Sequence, residues 1–350
     1  ADPALRPLSR YIGAFLSRFG ELRTLEIRDG VFRMAPGPGS LGVSNANITV
    51  AWPSKTSSAR MSGSYVWNGQ PTEIGLKIAS PVDFLSGAAS ALDFTLASPP
   101  LTASFDGEAS IAEAGSFSGK LALSTPSLTR SIRWLGDAGT LQPDIGPLSL
   151  VATLQGSDER LSLRDAKVSV GGFDGLGALE MTLPEGKRPF IGGTLAFDRL
   201  DLTGFTEAVA PLPQTPLDMQ RRIPVDFVEG LDLDLRLSAS DGAIGDLSFA
   251  DLAATVKFKD GVATFDVGDI TILGGQAQAR MTVDSTLRPA VATGVASVSG
   301  VDTARLSDAL GINGLLVTGA SDVQADYSMP LGSWADLARR SKMTLSIATR

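Results

Sequence analysis

The sequence has no cysteine and no histidine. The first absence excludes a disulfide framework, and the two together exclude zinc sites built on thiolate or imidazole. Ser-His-Asp triads and imidazole acid–base chemistry go with them. Aromatic residues make up only 6% of the chain, too few for a compact sandwich of this length anchored on large rings. Positive charge is also short. Thirty Lys and Arg stand against 38 Asp and Glu, a net charge of −8, whereas a nucleic-acid-binding face must be basic. No apolar run is as long as the roughly 18 residues of a membrane-spanning helix. No signal peptide is visible. The chain reads as a fragment, starting abruptly and stopping within the strand-like run Met343-Thr-Leu-Ser-Ile.

What is abundant is small and aliphatic. Hydrophobic residues are 43% of the chain and glycines number 38, which fits many short strands joined by tight turns. The pattern is clearest from Leu231 to Asp284. Leu231, Leu233, Leu235 and Leu237 alternate with Asp232, Asp234, Arg236 and Ser238, the mark of a strand with one dry and one wet face. Leu252, Ala254, Val256 and Phe258 share the next face, and Lys259-Asp260-Gly261 turns the chain. Ala263, Phe265 and Val267 return, followed by Ile270 and Ile272. Gly274-Gly275 turns again, and Ala277, Ala279, Met281 and Val283 come back. The stretch predicts an antiparallel meander of amphipathic strands.

The same alternation predicts strands along most of the chain, punctuated by short helices. A helix is expected over Leu5–Phe19, with Leu8, Ile12, Phe15, Leu16 and Phe19 on one stripe. The strand over Thr24–Phe32 is expected to turn at Asp29-Gly30. A helix or loop is expected within Pro81–Ser90. Thr125 is the expected N-cap of a helix that places Pro126 first and Gly136 after its end. A weak helix at Thr206–Ala210 is stopped by Pro211 and Pro213, and Pro211–Pro224 reads as a loop. Asp302 is expected to cap a helix to Leu310, followed by a strand over Leu315–Tyr327. Ser333 caps a last helix, with Asp336 three residues on. The blocks fall at residues 1–110, 111–225 and 226–350, with no strict repeat period, and they read as one continuous groove.

No catalytic template is satisfied. Gly119-Lys120 and Gly186-Lys187 lack the surroundings of a phosphate loop, and Gly171 to Gly177 lacks the dinucleotide spacing. A calcium loop starting at Asp232 would put Arg236 where a ligand oxygen belongs. Asp232 and Asp234 also share one strand face, so they cannot oppose each other across a cleft as a glycosidase pair would. They read as solvated face charges. No cofactor, metal or catalytic residue is expected.

Several stretches resemble the periplasmic region of the AsmA family of Gram-negative bacteria. They are the runs from Gly115 through Arg133-Trp134-Leu135-Gly136, Gly146-Pro-Leu-Ser-Leu, Leu195-Ala-Phe-Asp-Arg-Leu-Asp-Leu, Asp251 to Gly261 and Ile272 to Arg280. The resemblance covers about two-thirds of the chain, and the family's membrane helix is not in this sequence. It implies a mainly β fold: an elongated, strongly twisted antiparallel sheet curled into a groove with a hydrophobic interior and a few short peripheral helices. It implies phospholipid or another acyl-chain lipid as partner, a periplasmic location tethered to the inner membrane, and a part in outer-membrane biogenesis. The alternative within the same resemblance is an assembly factor for outer-membrane proteins, TamB-like, that holds client strands at a sheet edge. The groove lining is expected from Leu231, Leu233, Leu235, Leu237, Val256, Phe258, Phe265, Val267, Met281 and Val283. Some twenty strands about 4.8 Å apart would give roughly 90 Å of trough. Alternation by itself favours a sandwich or barrel whose apolar faces seal against each other, and the resemblance reverses that preference.

Overall fold

The computed structural model of the chain describes residues 23–33, 42–112, 115–135, 146–157, 159–184, 188–204, 206, 211–223, 225, 231–302, 304–305 and 319–349. It is mainly β, with 18 strands in one hydrogen-bonded sheet that does not close into a barrel. Contacts divide the chain into two compact units, with the residues of one strand, β10 (Phe173–Thr182), split between them.

The first unit carries β1 (Thr24–Arg33), β2 (Gly42–Ala51), β3 (Ala59–Trp67), β4 (Gln70–Ile78) and β5 (Ser90–Ser98). It continues with β6 (Leu101–Ser110), β7 (Ser116–Thr125), β8 (Leu148–Gly156) and β9 (Arg160–Val170). Each of these strands pairs antiparallel with the next. The β3–β4 hairpin turns on Asn68-Gly69, both at positive φ, the residues that a two-residue turn of this hand demands. Asp29-Gly30 is not a turn. Asp29 takes a φ of 50 degrees and β1 runs on past it, with a register shift against β2. The pair therefore makes a bulge within one strand.

Two short helices lie at strand ends in this unit. The first, α1 (Pro81–Leu85), follows β4 and starts on Pro81, which pre-sets the helical φ. The second, α2 (Leu128–Leu135), follows β7. Its cap is Ser127, not Thr125: Ser127 Oγ accepts the Arg130 N–H at 3.2 Å. Thr125 ends β7, and its hydroxyl bonds Ser131 at 2.7 Å. The threonine is taken by the sheet, so the cap moves two residues on. From there α2 passes the β5–β6 turn, where Ser131 Oγ donates to Pro100 O, and reaches the β3–β4 turn. Trp134 Nε1 donates to Trp67 O at 2.8 Å, and Trp67 Nε1 and Asn68 Nδ2 both donate to Trp134 O. The helix thus closes the ends of β3 to β7.

The second unit carries β11 (Phe190–Asp201), β12 (Asp232–Ile244), β13 (Leu247–Lys259) and β14 (Val262–Ile272). Then come β15 (Gly275–Asp284), β16 (Val291–Asp302), β17 (Ala320–Pro330) and β18 (Lys342–Thr349). From β12 onward each strand pairs antiparallel with the next. Asp260-Gly261 makes the β13–β14 turn as expected. The β14–β15 turn is Leu273-Gly274 rather than Gly274-Gly275, because Ile272 pairs with Gly275. A helix α3 (Trp334–Arg340) has Ser333 as N-cap, its Oγ accepting the Asp336 N–H at 3.1 Å.

One connection departs from the meander. Strands β11 and β12 are parallel, and residues 202–231 join them. Parallel neighbours need a crossover, because a tight hairpin reverses direction. This crossover carries Ile223 and Val225, both buried. Asp302 accepts the N–H groups of Ala304 and Arg305, as a cap would. The rest of that expected helix lies outside the described residues, as do the expected Leu5–Phe19 helix, most of Thr206–Ala210 and the start of the expected Leu315–Tyr327 strand.

Candidate lipid-binding face

Register, not contact alone, assembles the candidate face. Across the second unit, residues at matching positions line up into rows that cross the strands. One row runs Leu233, Phe258, Ala263, Val283, Ala292, Met329. The next runs Leu235, Val256, Phe265, Met281, Gly294, Tyr327, Met343. The third runs Leu237, Ala254, Val267, Ala279, Ala296, Ala325, Leu345. Alternation puts all three on one face, because neighbouring rows are two residues apart. Nine of the ten residues expected from the sequence fall in these rows. Leu231 lies one residue before β12 and is half-buried.

These three rows contain no charged side chain. Their one polar group is the Tyr327 hydroxyl, and burial pushes its pKa up, so it stays neutral. Phe258 and Phe265 meet edge to face, with ring centroids 6.0 Å apart, a favoured arrangement of two ring quadrupoles. The third row is mostly alanine between β13 and β17.

Charge is confined to the opposite face. Asp234 pairs with Lys257 at 3.1 Å, and Asp266 pairs with Arg280 on neighbouring strands. Asp232 lies 4.0 Å from Arg188. The carboxylates that resembled part of a calcium loop are therefore each set toward a cation, and exposed pairs of this kind contribute about 0–1 kcal/mol.

The rows differ in exposure. In the first, Ala263, Val283 and Ala292 are buried. In the second and third, from Leu235 to Tyr327 and from Leu237 to Ala325, side chains are only half-buried. At β18, Met343, Leu345 and Ile347 are 65%, 52% and 56% exposed. A sealed sandwich core would hold all of these dry.

The first unit has the same construction, which the sequence reading did not single out as lining. Leu25, Val50, Met61, Leu76, Phe94, Phe105 and Leu121 form one row across β1 to β7. The signal was present in the period-two alternation of every strand, but alternation does not say which rows align.

Several glycines mark close approaches between neighbouring strands on the apolar side. Gly107 and Gly119 face each other on β6 and β7, in the apolar register. A Cβ on either would lie 2.2 or 2.4 Å from a carbonyl oxygen of the other strand. Gly294 is alike in the second unit: a Cβ there would lie 2.3 Å from Arg280 O and 2.5 Å from the Tyr327 hydroxyl. Glycine at these positions lets the neighbouring backbones approach closely.

Among the described residues no helix is long and apolar enough to cross a membrane. Comparison of the chain with family models, with curated proteins and with solved structures finds no match to any of the three.

Proposed function

We propose that this protein is a non-enzymatic lipid-binding or lipid-conducting module of the bacterial cell envelope. Acyl chains of a phospholipid would lie along the rows of the apolar face, with headgroups outside. One observation carries the reading: uncharged aliphatic rows continue across β12 to β18 while staying half-exposed. A continuous wall of that kind answers the energetic problem of moving lipid. Each methylene is worth about 0.8 kcal/mol, so exposing a two-chain lipid to water costs on the order of 20 kcal/mol. Small, interchangeable side chains lower that barrier without a deep pocket to trap the cargo. The resemblance to the AsmA family supports the same reading, with placement in the periplasm, inner-membrane tethering and passage toward the outer membrane.

The test is mass spectrometry of lipid retained by gently purified protein, alongside the variant Met281→Asp. The reading expects acyl lipid with the native chain and loss of most of it with a carboxylate in the second row. A native chain that retains no lipid and takes up none from vesicles would end the proposal.

One observation favours a second reading, a holdase for outer-membrane proteins. Strand β18 is exposed from Lys342 to Ala348 and offers a place for an extended client. Crosslinks from Thr344 or Ser346 to a barrel protein, with no retained lipid, would favour it over the first.

A further inference from the structure

The charged face of the second unit carries a depression of its own. Its volume is about 480 Å³, and Arg280, Thr282, Thr293, Val295, Asp326 and Lys342 line it, a size that suits a small molecule. Register explains its shape. One row across β15 to β18 reads Thr282, Thr293, Ser328, Lys342, and the next reads Arg280, Val295, Asp326, Thr344. Long side chains stand on the outer two strands, at Arg280 and Lys342, and shorter ones lie between them. Alternation puts both rows on the face opposite the apolar rows.

The chemistry across the second of these rows is ordered. A cation, an apolar group and an anion stand on three neighbouring strands, each about 4.8 Å from the next at the backbone. Asp266 holds the Arg280 guanidinium, accepting from Nε at 2.9 Å and from Nη2. A guanidinium has five N–H donors, so donors remain for a ligand. Val295 is 48% exposed, the one aliphatic side chain among the hydroxyls and charges of the two rows. Asp326 accepts from Gln324 Nε2 at a long 3.4 Å. Among the described residues neither Asp326 nor Lys342 has an ion-pair partner, and the hydroxyls of Thr282 and Thr293 have no hydrogen-bond partner. Counting Asp266, two cations and two carboxylates cancel here, which suits a ligand of no net charge.

The geometry points to a site for a zwitterion, an oxyanion and an ammonium joined by a short methylene link, as in an aminoalkyl phosphate. The oxyanion lies over Thr282 and Thr293, between Arg280 and Lys342. The methylenes rest on Val295, and the ammonium takes Asp326. Charge-assisted hydrogen bonds at both ends make the pair of charges, rather than either alone, the feature that is recognised. A lipid headgroup and a free small molecule can carry the same chemistry. The site lies across the sheet from the apolar rows and does not rest on the lipid-binding reading.

The probe is sn-glycero-3-phosphoethanolamine, which has no acyl chains. It is titrated into the full chain and read by NMR shifts of the Val295 and Asp326 amides. The reference probes are sn-glycerol 3-phosphate, without the ammonium, and ethanolamine, without the oxyanion. The zwitterion is expected to bind about tenfold more tightly than either. Asp326→Asn is expected to remove its advantage over glycerol 3-phosphate, and Arg280→Gln to weaken both phosphates. Both side chains are exposed, so neither change unfolds the chain. Vesicles identify the source. Flotation that requires phosphatidylethanolamine beside phosphatidylglycerol, and is lost with Asp326→Asn, assigns the site to a lipid headgroup. Binding of the soluble zwitterion without any such requirement on vesicles assigns it to a free ligand. Equal binding of the three probes, binding of none, or a preference that survives Asp326→Asn overturns the site. Each of those results leaves retention of acyl lipid on the apolar rows untouched.

Discussion

The two units use the same sheet and close it differently. In the first, α2 lies across the ends of β3 to β7 and is fastened by polar contacts. Trp134 and Trp67 exchange hydrogen bonds with each other's backbone, and the buried Ser131 hydroxyl donates to Pro100. In the second, Val225 of the connection between β11 and β12 packs in a buried apolar cluster with Ala263, Val283, Ala290 and Ala292. Directional bonds fix a cap in one place, since breaking them leaves buried polar groups unsatisfied. Apolar contact is not directional and exchanges readily for another apolar surface. The first set of contacts is directional and the second is not.

The largest effect expected from breaking this contrast is Trp134→Ala. It removes a buried indole and leaves Trp67 O without its donor, for a loss of about 3–5 kcal/mol in chemical denaturation. A loss below about 1 kcal/mol would show that α2 does not close the first unit as described. Next comes Gly119→Val against Gly294→Val. Each forces a side chain into the neighbouring strand's backbone and is expected to cost about 1–3 kcal/mol, read as a lowered denaturation midpoint. A negligible cost in one unit would show that its strands part to admit the added side chain. Smaller again is Ser333→Ala. Loss of the α3 cap is expected to cost about 1 kcal/mol. Because Ser333 also bridges to Arg222, the change should loosen the crossover, read as faster amide exchange at Ile223.

The smallest effect concerns pH. Burial raises the pKa of Tyr65 in the first unit and of Tyr327 in the second. A raised folded-state pKa means the neutral phenol is the form the fold favours. The contribution is fully present below the unfolded value of about 10 and is lost as pH rises through the folded value. Tyr65→Phe and Tyr327→Phe should each flatten the decline in stability above that pH while leaving neutral-pH stability nearly unchanged. A decline unaltered by either change would place its origin elsewhere.

Much of the architecture was legible because a strand with one dry face writes its period into the sequence. The meander from Leu231 to Asp284 could be traced strand by strand with its Asp260-Gly261 turn, while its next turn fell one residue earlier than expected, at Leu273-Gly274. The errors came where two local signals competed. Asp29-Gly30 has turn chemistry, yet a single αL residue is also what a bulge needs, and only pairing with β2 decides between them. Thr125 is a good cap by type, but the sheet claimed it and Ser127 took the role. Nothing local revealed the parallel β11–β12 pair, since strand direction depends on where a long connection returns.

The alternation of Leu, Val and Ala with charged and hydroxyl residues determined by itself that this chain forms amphipathic strands, with an uncharged face and a wet one. The missing residue types excluded the histidine- and cysteine-dependent chemistries outright. Which apolar residues stand side by side, and which of them are buried, was decided only by tertiary structure. The physical reason is that period-two patterning fixes the face of each residue but not the register between strands, and burial depends on what lies over the face.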